Sequence, residues 1–484
     1  MTVTGNTGFA GGSILAIDAN VAGASDQLVT SGTTTIGGGQ VNVAGLLNPN
    51  QVYTIVTSGG GVTGTFSGLS AAVNSGFLTA SLAYQPTAVQ LQVQRNGVAL
   101  PSVGQTANQR SVGTAVETLD PANPIAAEIL NGSVAQARDA FDQLSGEIHP
   151  SMTSALIDES QMIRRTMVGR IMSGFSDQSS APAPMDPAAK GGAVDLKDPL
   201  LTRYQEAPKS ERFAAWSEAL GGWGSFSGDG NAARLEHSLG GVLFGLDGAM
   251  GDNWRVGVAG GYSRTSFDVD ARKSSGSANS YHLMAYAGTQ LDAIGLRFGV
   301  GHSWHDVKTD RSVAFGGFAD KLSASYDAST TYAFGEVGYA MVMDRVTFEP
   351  FANVAFVHLD TDGFTESGGA AALTSNGETR NIPYTTLGLR AGTDVVLGGT
   401  TLRLDGMVGW QHAYSGVVPS EGFALKGSDL FNISGVPIAR DAFLLEAGTS
   451  WRPADNVTLG LTYSGQFASG SRDHGFKGTL SVKF

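Results

Sequence analysis

The stretch Phe476-Lys477-Gly478-Thr479-Leu480-Ser481-Val482-Lys483-Phe484 alternates. Phe476, Gly478, Leu480, Val482 and Phe484 fall on one face of an extended strand, and Lys477, Thr479, Ser481 and Lys483 on the other, because successive strand side chains point to opposite sides. A strand apolar on one side and polar on the other suits a sheet closed into a barrel, with lipid outside and water inside.

Upstream, the same pattern recurs. About twelve segments of ten or more residues lie near 212–224, 233–248, 253–268, 278–290, 293–308, 325–341, 345–361, 379–397, 400–415, 438–452, 456–468 and 473–484, the length expected of tilted transmembrane strands. Trp254, Val256, Val258 and Tyr262 oppose Arg255, Gly257, Ala259 and Ser263. Leu402, Leu404, Val408 and Trp410 oppose Arg403, Asp405 and Gln411. Short turns at Met250-Gly251, Leu291-Asp292, Met343-Asp344, Gly398-Gly399 and Pro453-Ala454 alternate with longer connections around 269–277, 309–324, 362–378 and 416–437. Short turns on one side and long loops on the other are the habit of outer-membrane barrels, with the short turns in the periplasm. An even strand number puts both barrel ends on the short-turn side. If the N-terminal region lies outside the cell, the chain must return through the lumen to start the first strand. Inward-facing charges are expected at Glu218, Arg255, Arg297, Glu336, Glu349, Arg390, Arg403, Asp405 and Glu446. They are of both signs, so they could pair with one another and with Asp158, Glu159, Arg164, Arg165 and Arg170 of the upstream helix; the simplest reading leaves each of them solvated in the lumen, where an exposed ion pair contributes only ~0–1 kcal/mol.

Composition agrees with this reading. The chain has 484 residues, 67 Gly, no Cys, 15% charged residues and a net charge of -13; its mean hydropathy is close to zero. No run of ~18 apolar residues is present to span a bilayer as a helix. The negative charge argues against nucleic acid as a partner, and the lack of Cys suits passage through an oxidising compartment. The Met1-Thr-Val-Thr-Gly-Asn6 start has neither the basic start nor the apolar core of a signal peptide, so further sequence is expected upstream.

Before the barrel, three compositions follow one another. Residues 1 to about 105 are Gly-, Thr-, Val-, Ser- and Asn-rich. They carry short alternating runs (Ser13–Asp18, Gln27–Thr30, Gln40–Ala44, Val52–Thr57, Phe77–Leu82, Val89–Gln94) separated by Gly-rich breaks. Short strands with regular turns predict a right-handed β-helix, with a generic β-sandwich as the alternative. Residues 106–174 switch to helical periodicity. Asn131-Gly-Ser133 precedes a helix with Ala137, Phe141 and Leu144 on one face. Pro150 then opens a helix over 151–173, with Met152, Leu156, Met162, Ile163, Met167 and Ile171 as its apolar stripe. Asp158 and Glu159 near its start and Arg164, Arg165 and Arg170 towards its end complement the helix dipole. At 1.5 Å per residue it is ~35 Å long, enough to cross a bilayer, but its charges restrict it to a polar lumen. Residues 175–211 read as a Ser/Ala/Pro-rich linker, and 212–484 as the barrel.

In this order of regions the chain resembles the C-terminal part of a type Va autotransporter. The resemblance rests on Ala140-Phe-Asp-Gln-Leu-Ser-Gly-Glu-Ile-His149, the helix after it, Trp223-Gly-Ser-Phe-Ser-Gly-Asp-Gly-Asn231 and Phe484. It rests also on Ser13–Asp18 and Tyr53-Thr-Ile-Val56, which are similar to the last rungs of such a family's passengers. The resemblance implies an all-β fold with a helical linker: a 12-stranded antiparallel transmembrane barrel preceded by a right-handed β-helix stem with an autochaperone-like role. It implies a monomer in the outer membrane of a Gram-negative bacterium, with residues 1 to about 105 at the cell surface. Outer-membrane lipids, periplasmic chaperones, the barrel assembly machinery and its own passenger would be its partners. Phe476, Leu480, Val482 and Phe484 would form the assembly signal. No Asn-Asn pair of the kind used by self-cleaving members lies in 131–212.

No catalytic, cofactor or metal site is expected from the sequence. A Gly-x-Ser-x-Gly elbow at a strand-to-helix turn and a phosphate loop are absent. His302 and His305 stand three apart on one strand and so face opposite sides, which denies them a shared ion. Two rivals to an export-and-anchoring module remain. One is a passive porin with residues 1–100 as a periplasmic or plug domain; the other is the anchor of a surface hydrolase or adhesin whose active part lies upstream.

Overall fold

A computed structural model describes residues 1–71, 75–176, 213–251, 253–398 and 400–484. The expected linker at 175–211 lies, apart from its first two residues, outside the described residues.

Residues 1–71 wind into a parallel β-helix with three ladders. Thr2–Val3, Leu28–Thr30 and Val52–Ser58 stack on one face; Thr7–Phe9, Thr34–Ile36 and Val62–Gly64 on the second; Ile14–Asp18, Gln40–Ala44 and Gly68–Ala71 on the third. Alternation decides what goes inside: Ile17, Leu28, Ile36, Val41, Val43, Tyr53 and Ile55 are buried. Gly45 and Gly64 turn two corners at φ 91° and 80°, where a Cβ would meet the carbonyl of the rung above at about 2 Å. The stack does not continue as rungs. Leu78–Gln85 and Ala88–Arg95 form an antiparallel hairpin that lies antiparallel on Val52–Ser58, with Leu91 opposite Tyr53.

Four helices follow: α1 (Ala107–Glu117), α2 (Pro124–Asn131), α3 (Val134–Leu144) and α4 (Ile148–Ser176). Their starts are written locally. The Thr106 hydroxyl and the Asn123 amide oxygen accept from Gln109 and Ile125 N–H, and Ser133 and Gln136 form a reciprocal capping box. The Asn131 side chain ties the bundle to the stem, accepting from Leu47 N–H and donating to Leu47 O, both at 3.0 Å. The last helix starts two residues before Pro150 and runs 29 residues, about 44 Å at 1.5 Å each, longer at both ends than the expected 151–173.

Twelve antiparallel strands form the barrel: β1 (Phe213–Phe226), β2 (Leu235–Met250), β3 (Trp254–Val269), β4 (Ser274–Leu291), β5 (Ile294–Phe315), β6 (Phe318–Tyr339), β7 (Val346–Thr365), β8 (Leu373–Leu397), β9 (Thr400–Ala413), β10 (Asp441–Ala454), β11 (Val457–Phe467) and β12 (Ser471–Lys483). β1 pairs with β12 from Ala214–Lys483 to Phe226–Ser471, which closes the ring and leaves it no edge. Exposed apolar side chains such as Phe244, Val258, Leu283, Val300, Val354, Trp410, Leu461 and Phe476 stud the outer surface. On the short-turn side, Asp292 and Asp344 adopt φ 51° and 60°, as tight hairpins require.

Two expected loops are strand. The connection predicted at 309–324 is the continuation of β5 and β6 to a Gly316-Gly317 turn, and the one at 416–437 contains a hairpin, Ser420–Leu425 with Phe431–Ser434. The cause is an inversion of the pattern above the lipid. There Val307, Val313, Leu322, Ala324 and Tyr326 point inward and are buried, while Lys308, Asp310, Lys321 and Asp327 point out. The outer ends of the strands form a polar-outside, apolar-inside wall around the helices, and apolar-out alternation no longer marks them.

Candidate functional site in the barrel lumen

The functional feature of this barrel is what fills it. α4 enters at the long-connection end and runs down the lumen, buried over most of its surface, with one less covered strip along Asp158, Met162, Arg165, Gly169 and Met172. Met152, Leu156, Ile163, Met167 and Ile171 are buried as the stripe predicts, with Met162 half-buried, and so are Ser151, Ser154, Glu159, Ser160, Arg164, Thr166 and Arg170 on the remaining faces. A helix apolar on one face only would leave polar groups unsatisfied in such a place. Here the wall supplies the partners, at three heights.

At the outer mouth, His149 Nδ1 lies 3.0 Å from the Tyr326 hydroxyl and Nε2 2.9 Å from Glu366 Oε1. Arg311 makes a fork to Glu366, 2.7 Å on each arm, and also donates to the Gln143 carbonyl. Burial opposes the Glu366 charge, but the Arg311 guanidinium and His149 outweigh it and hold the carboxyl well below the usual carboxylate range. One residue before α4, Glu147 accepts from Ala233 N–H at 2.5 Å and Arg272 Nε at 3.1 Å. Its burial prevails over those partners and pushes its pKa up. The loop after the 420–434 hairpin grips the start of α4: Ser151 Oγ accepts from Val436 N–H at 3.0 Å and Ser154 Oγ donates to Val436 O at 2.8 Å.

At mid-height Glu159 accepts from Ser263, from Thr265 at 3.1 Å and from Ser280 at 3.2 Å, and pairs with His282 at 3.4 Å. Thr166 donates to Glu218 at 2.6 Å, and Arg165 reaches Gln466 at 3.4 Å and Glu446 at 4.0 Å. At the inner end Asp247 takes Arg170 Nε at 2.5 Å and Nη2 at 3.0 Å, together with Arg255 and the Tyr286 hydroxyl at 2.9 Å.

Other sequence-selected residues lie on the wall. Arg297, Glu336, Glu349 and Arg390 form a four-membered network with N–O distances of 2.7–3.0 Å, and the Arg390 guanidinium stacks 3.7 Å over Phe351. Arg403 is more open and pairs with Asp405 at 3.0 Å near the inner rim. Arg164 lies over the Tyr384 ring at 5.4 Å, with Nε and Nη2 unpartnered. Phe476 and Leu480 point outward, and Phe484 exchanges backbone hydrogen bonds with Phe213 at 3.0 and 3.2 Å, beside the first strand. Arg297, Glu336, Glu349 and Arg390 are thus paired within the wall, and Glu218 and Arg255 take part in the contacts around α4, where the simplest sequence reading leaves each charge solvated. Asp247, His149 and Glu366 were missed. The first lies on a strand with weak alternation, and the other two lie outside the membrane pattern.

Hydroxyl–imidazole contacts exist, at Ser263–His282 (2.7 Å) and Ser280–His305 (2.8 Å). Glu159, though, approaches His282 on Nε2, the nitrogen facing Ser263, while Nδ1 meets Ser303 at 2.8 Å. A catalytic triad needs its carboxylate on the nitrogen away from the nucleophile, so this string is not one. His302 faces outward beside Trp304, and His305 inward.

A closed 12-stranded barrel, apolar outside and traversed by its own upstream helix, defines a membrane-embedded translocator. Residues 215–464, just over half the chain, match the autotransporter β-domain family, and the chain belongs to that family. Two extracellular serine proteases of Serratia marcescens are 32% and 31% identical to it, each over 96% of this chain and 47% of the relative; the chain spans about half the length of these curated relatives. Among solved structures, the translocator domain of the autotransporter NalP from Neisseria meningitidis shares 13% identity, with 68% of this chain and 98% of that chain covered, at a TM-score of 0.49. The β-domain of the Bordetella autotransporter BrkA shares 18%, with 56% and 100% covered, at 0.45. The chain is the outer-membrane translocator part of a Gram-negative autotransporter.

Proposed function

We propose that residues 1–105 are the surface-exposed end of the passenger, that 106–174 dock it on the outer mouth and thread the lumen, and that 212–484 hold it in the membrane. The observation carrying this reading is the course of α4. His149 is anchored to Glu366 at the outer mouth, and Arg170 to Asp247 and Ser481 at the inner end. Phe213 starts the first strand at that same short-turn end, beside Phe484. The stem hairpin Leu78–Arg95 is the proposed folding nucleus outside the cell. The terminal strand, with Phe476, Leu480, Val482 and Phe484, is the proposed signal for the barrel assembly machinery and its periplasmic chaperones. The chain itself catalyses nothing in this reading, and works as a monomer.

Protease shaving of intact cells tests the placement. Residues 1–105 should be digested without breaking the outer membrane; resistance until lysis supports the porin reading instead. Deleting 151–211 should raise conductance in planar bilayers, and an unchanged conductance would sink the plug. The likeness to the two Serratia proteases favours one reading of the cargo: a serine protease carried upstream of the stem, which sequencing the gene 5′ of Met1 decides.

A further inference from the structure

One cluster in the lumen keeps carboxylate oxygens that the anchors leave over: Gln466 donates to Asp158 Oδ1 at 3.4 Å and Ser471 to Asp473 Oδ2 at 2.6 Å, and the other oxygen of each carboxylate turns to His237. Asp158 of α4, His237 of β2 and Asp473 of β12 bring one ligand atom each to within 4.8 Å of one another. His237 Nε2 stands 3.2 Å from Asp473 Oδ1 and 3.7 Å from Asp158 Oδ2. Both are ion-pair contacts: the longer is beyond hydrogen-bond distance, and at the shorter, though it is within reach, Asp473 Oδ1 stays buried without a hydrogen-bond partner, on a residue 8% exposed. Direct N–H···O bonds close to ~2.7–3.2 Å. Ligands held ~2.0–2.2 Å from a tetrahedral ion are instead about 3.3–3.6 Å apart, and the two observed separations straddle that edge.

The surroundings are shaped for the cluster. Gly224 of β1 pairs with His237 on one side and Asp473 on the other. A Cβ there would stand 1.8 Å from Asp473 Oδ1, so only glycine lets the carboxylate lean across β1 towards the imidazole. Phe226 stacks on His237 with centroids 5.2 Å apart, fixing the ring plane. A cavity of about 40 Å³ opens beside the three residues, with Arg165 and Lys477 also on its lining. It has room for a fourth, water ligand, which needs ~10–15 Å³.

We propose that Asp158, His237 and Asp473 form a site for a divalent transition-metal ion of the Zn2+ class, which clasps the lumen helix to both neighbours of the first strand. One imidazole and two carboxylates suit Zn2+ or Co2+ better than Ca2+ or Mg2+, which take oxygen shells of six or more. On binding, His237 Nε2 gives up its proton to solvent and donates its lone pair, and two carboxylates balance the ion's charge.

The test uses the untagged full chain refolded in detergent micelles and stripped with EDTA. Co2+ titration should give a visible d–d band saturating at one equivalent and displaced by Zn2+, and Zn2+ should raise the unfolding temperature of the unsubstituted chain reversibly with EDTA. His237→Gln and Asp473→Asn should each weaken Co2+ binding by at least 100-fold, while His302→Gln, on the outward face of β5 beside Trp304, should leave it unchanged. A folded chain with no saturable Co2+ band and no EDTA-sensitive thermal shift overturns the proposal, as does binding that survives both ligand substitutions.

Discussion

Replacing Asp247 by Asn should free the inner end of α4. Asp247 is fully buried and receives Arg170 and Arg255, with the Tyr286 hydroxyl as a third donor. Removing one partner of a buried ion pair costs ~3–5 kcal/mol, because the other charge stays behind without compensation. Only part of this acts on the helix: Arg255 belongs to the wall and loses its partner wherever α4 sits, and Arg170 keeps the Ser481 hydroxyl at 2.8 Å. Taking the lower end, ~3 kcal/mol, at ~1.4 kcal/mol per tenfold the detached population rises about 100-fold. The chain has no cysteine, so Ile171→Cys places a single thiol at a position 1% exposed. Its rate of labelling by a water-soluble maleimide reads the detachment. That rate should rise about 100-fold with Asp247→Asn. Adding Arg170→Met, which removes the stranded guanidinium, should recover part of the protection, with a non-additivity of ~0.5–3 kcal/mol. A labelling rate that changes less than threefold, in a barrel still folded by its heat-dependent gel shift, would refute the idea that Asp247 holds the helix.

Other expected outcomes follow from the same lumen. The Glu366 carboxyl is held below its unfolded value of 4.5, so its contribution is complete above about pH 4.5 and is lost as pH falls towards the folded value; the hydrogen-exchange protection factors of 143–155, taken relative to the intrinsic rate at each pH, should fall as pH drops below about 4.5, and Glu366→Gln should flatten that dependence. Glu147, with its pKa raised, works in the opposite sense, which is why the difference between the two chains is the quantity to measure. Gly288→Ala places a Cβ 2.2 Å from the Ile171 side chain and should cost ~1–3 kcal/mol through overpacking, read as a lower melting temperature that Ile171→Ala restores. Deleting Phe484 removes two backbone hydrogen bonds to Phe213; outer-membrane insertion should fall while residues 1–105 still fold, and normal insertion would count against an assembly role.

The fold was legible where one solvent boundary governs each face. Trp254, Val258 and Tyr262 face lipid and Arg255, Ala259 and Ser263 face inward, so period two survives in the sequence, and with it the strand number and the short turns. It failed where the boundary changes. Arg311, Val313 and Phe315 point into a cap of helices and Asp310 and Ser312 into water, so the apolar face of β5 switches sides halfway along. The 420–434 hairpin is too short to show a period: Phe423 and Leu425 on one strand and Phe431 and Ile433 on the other are its whole buried apolar set.

The lumen charges were placed by parity; Arg297, Glu336, Glu349 and Arg390 pair within the wall, but no period in the sequence reports a contact to α4 such as Thr166 with Glu218 or Arg170 with Asp247. The stripe from Met152 to Ile171 suggested a helix with one wet side. In the barrel the less covered face is a narrow strip along Asp158, Met162, Arg165 and Gly169, and most of the polar residues serve as anchors at separate heights. Glu366 and Arg311 hold the mouth, Ser263, Thr265 and Ser280 hold Glu159 at mid-height, and Asp247 holds the inner end. These anchors share no side chain, and the three clusters lie on different stretches of wall, so losing one leaves the others formed. Detachment of the helix therefore proceeds by stages from an end, and a lesion at Asp247 should expose Ile171 while leaving His149 protected.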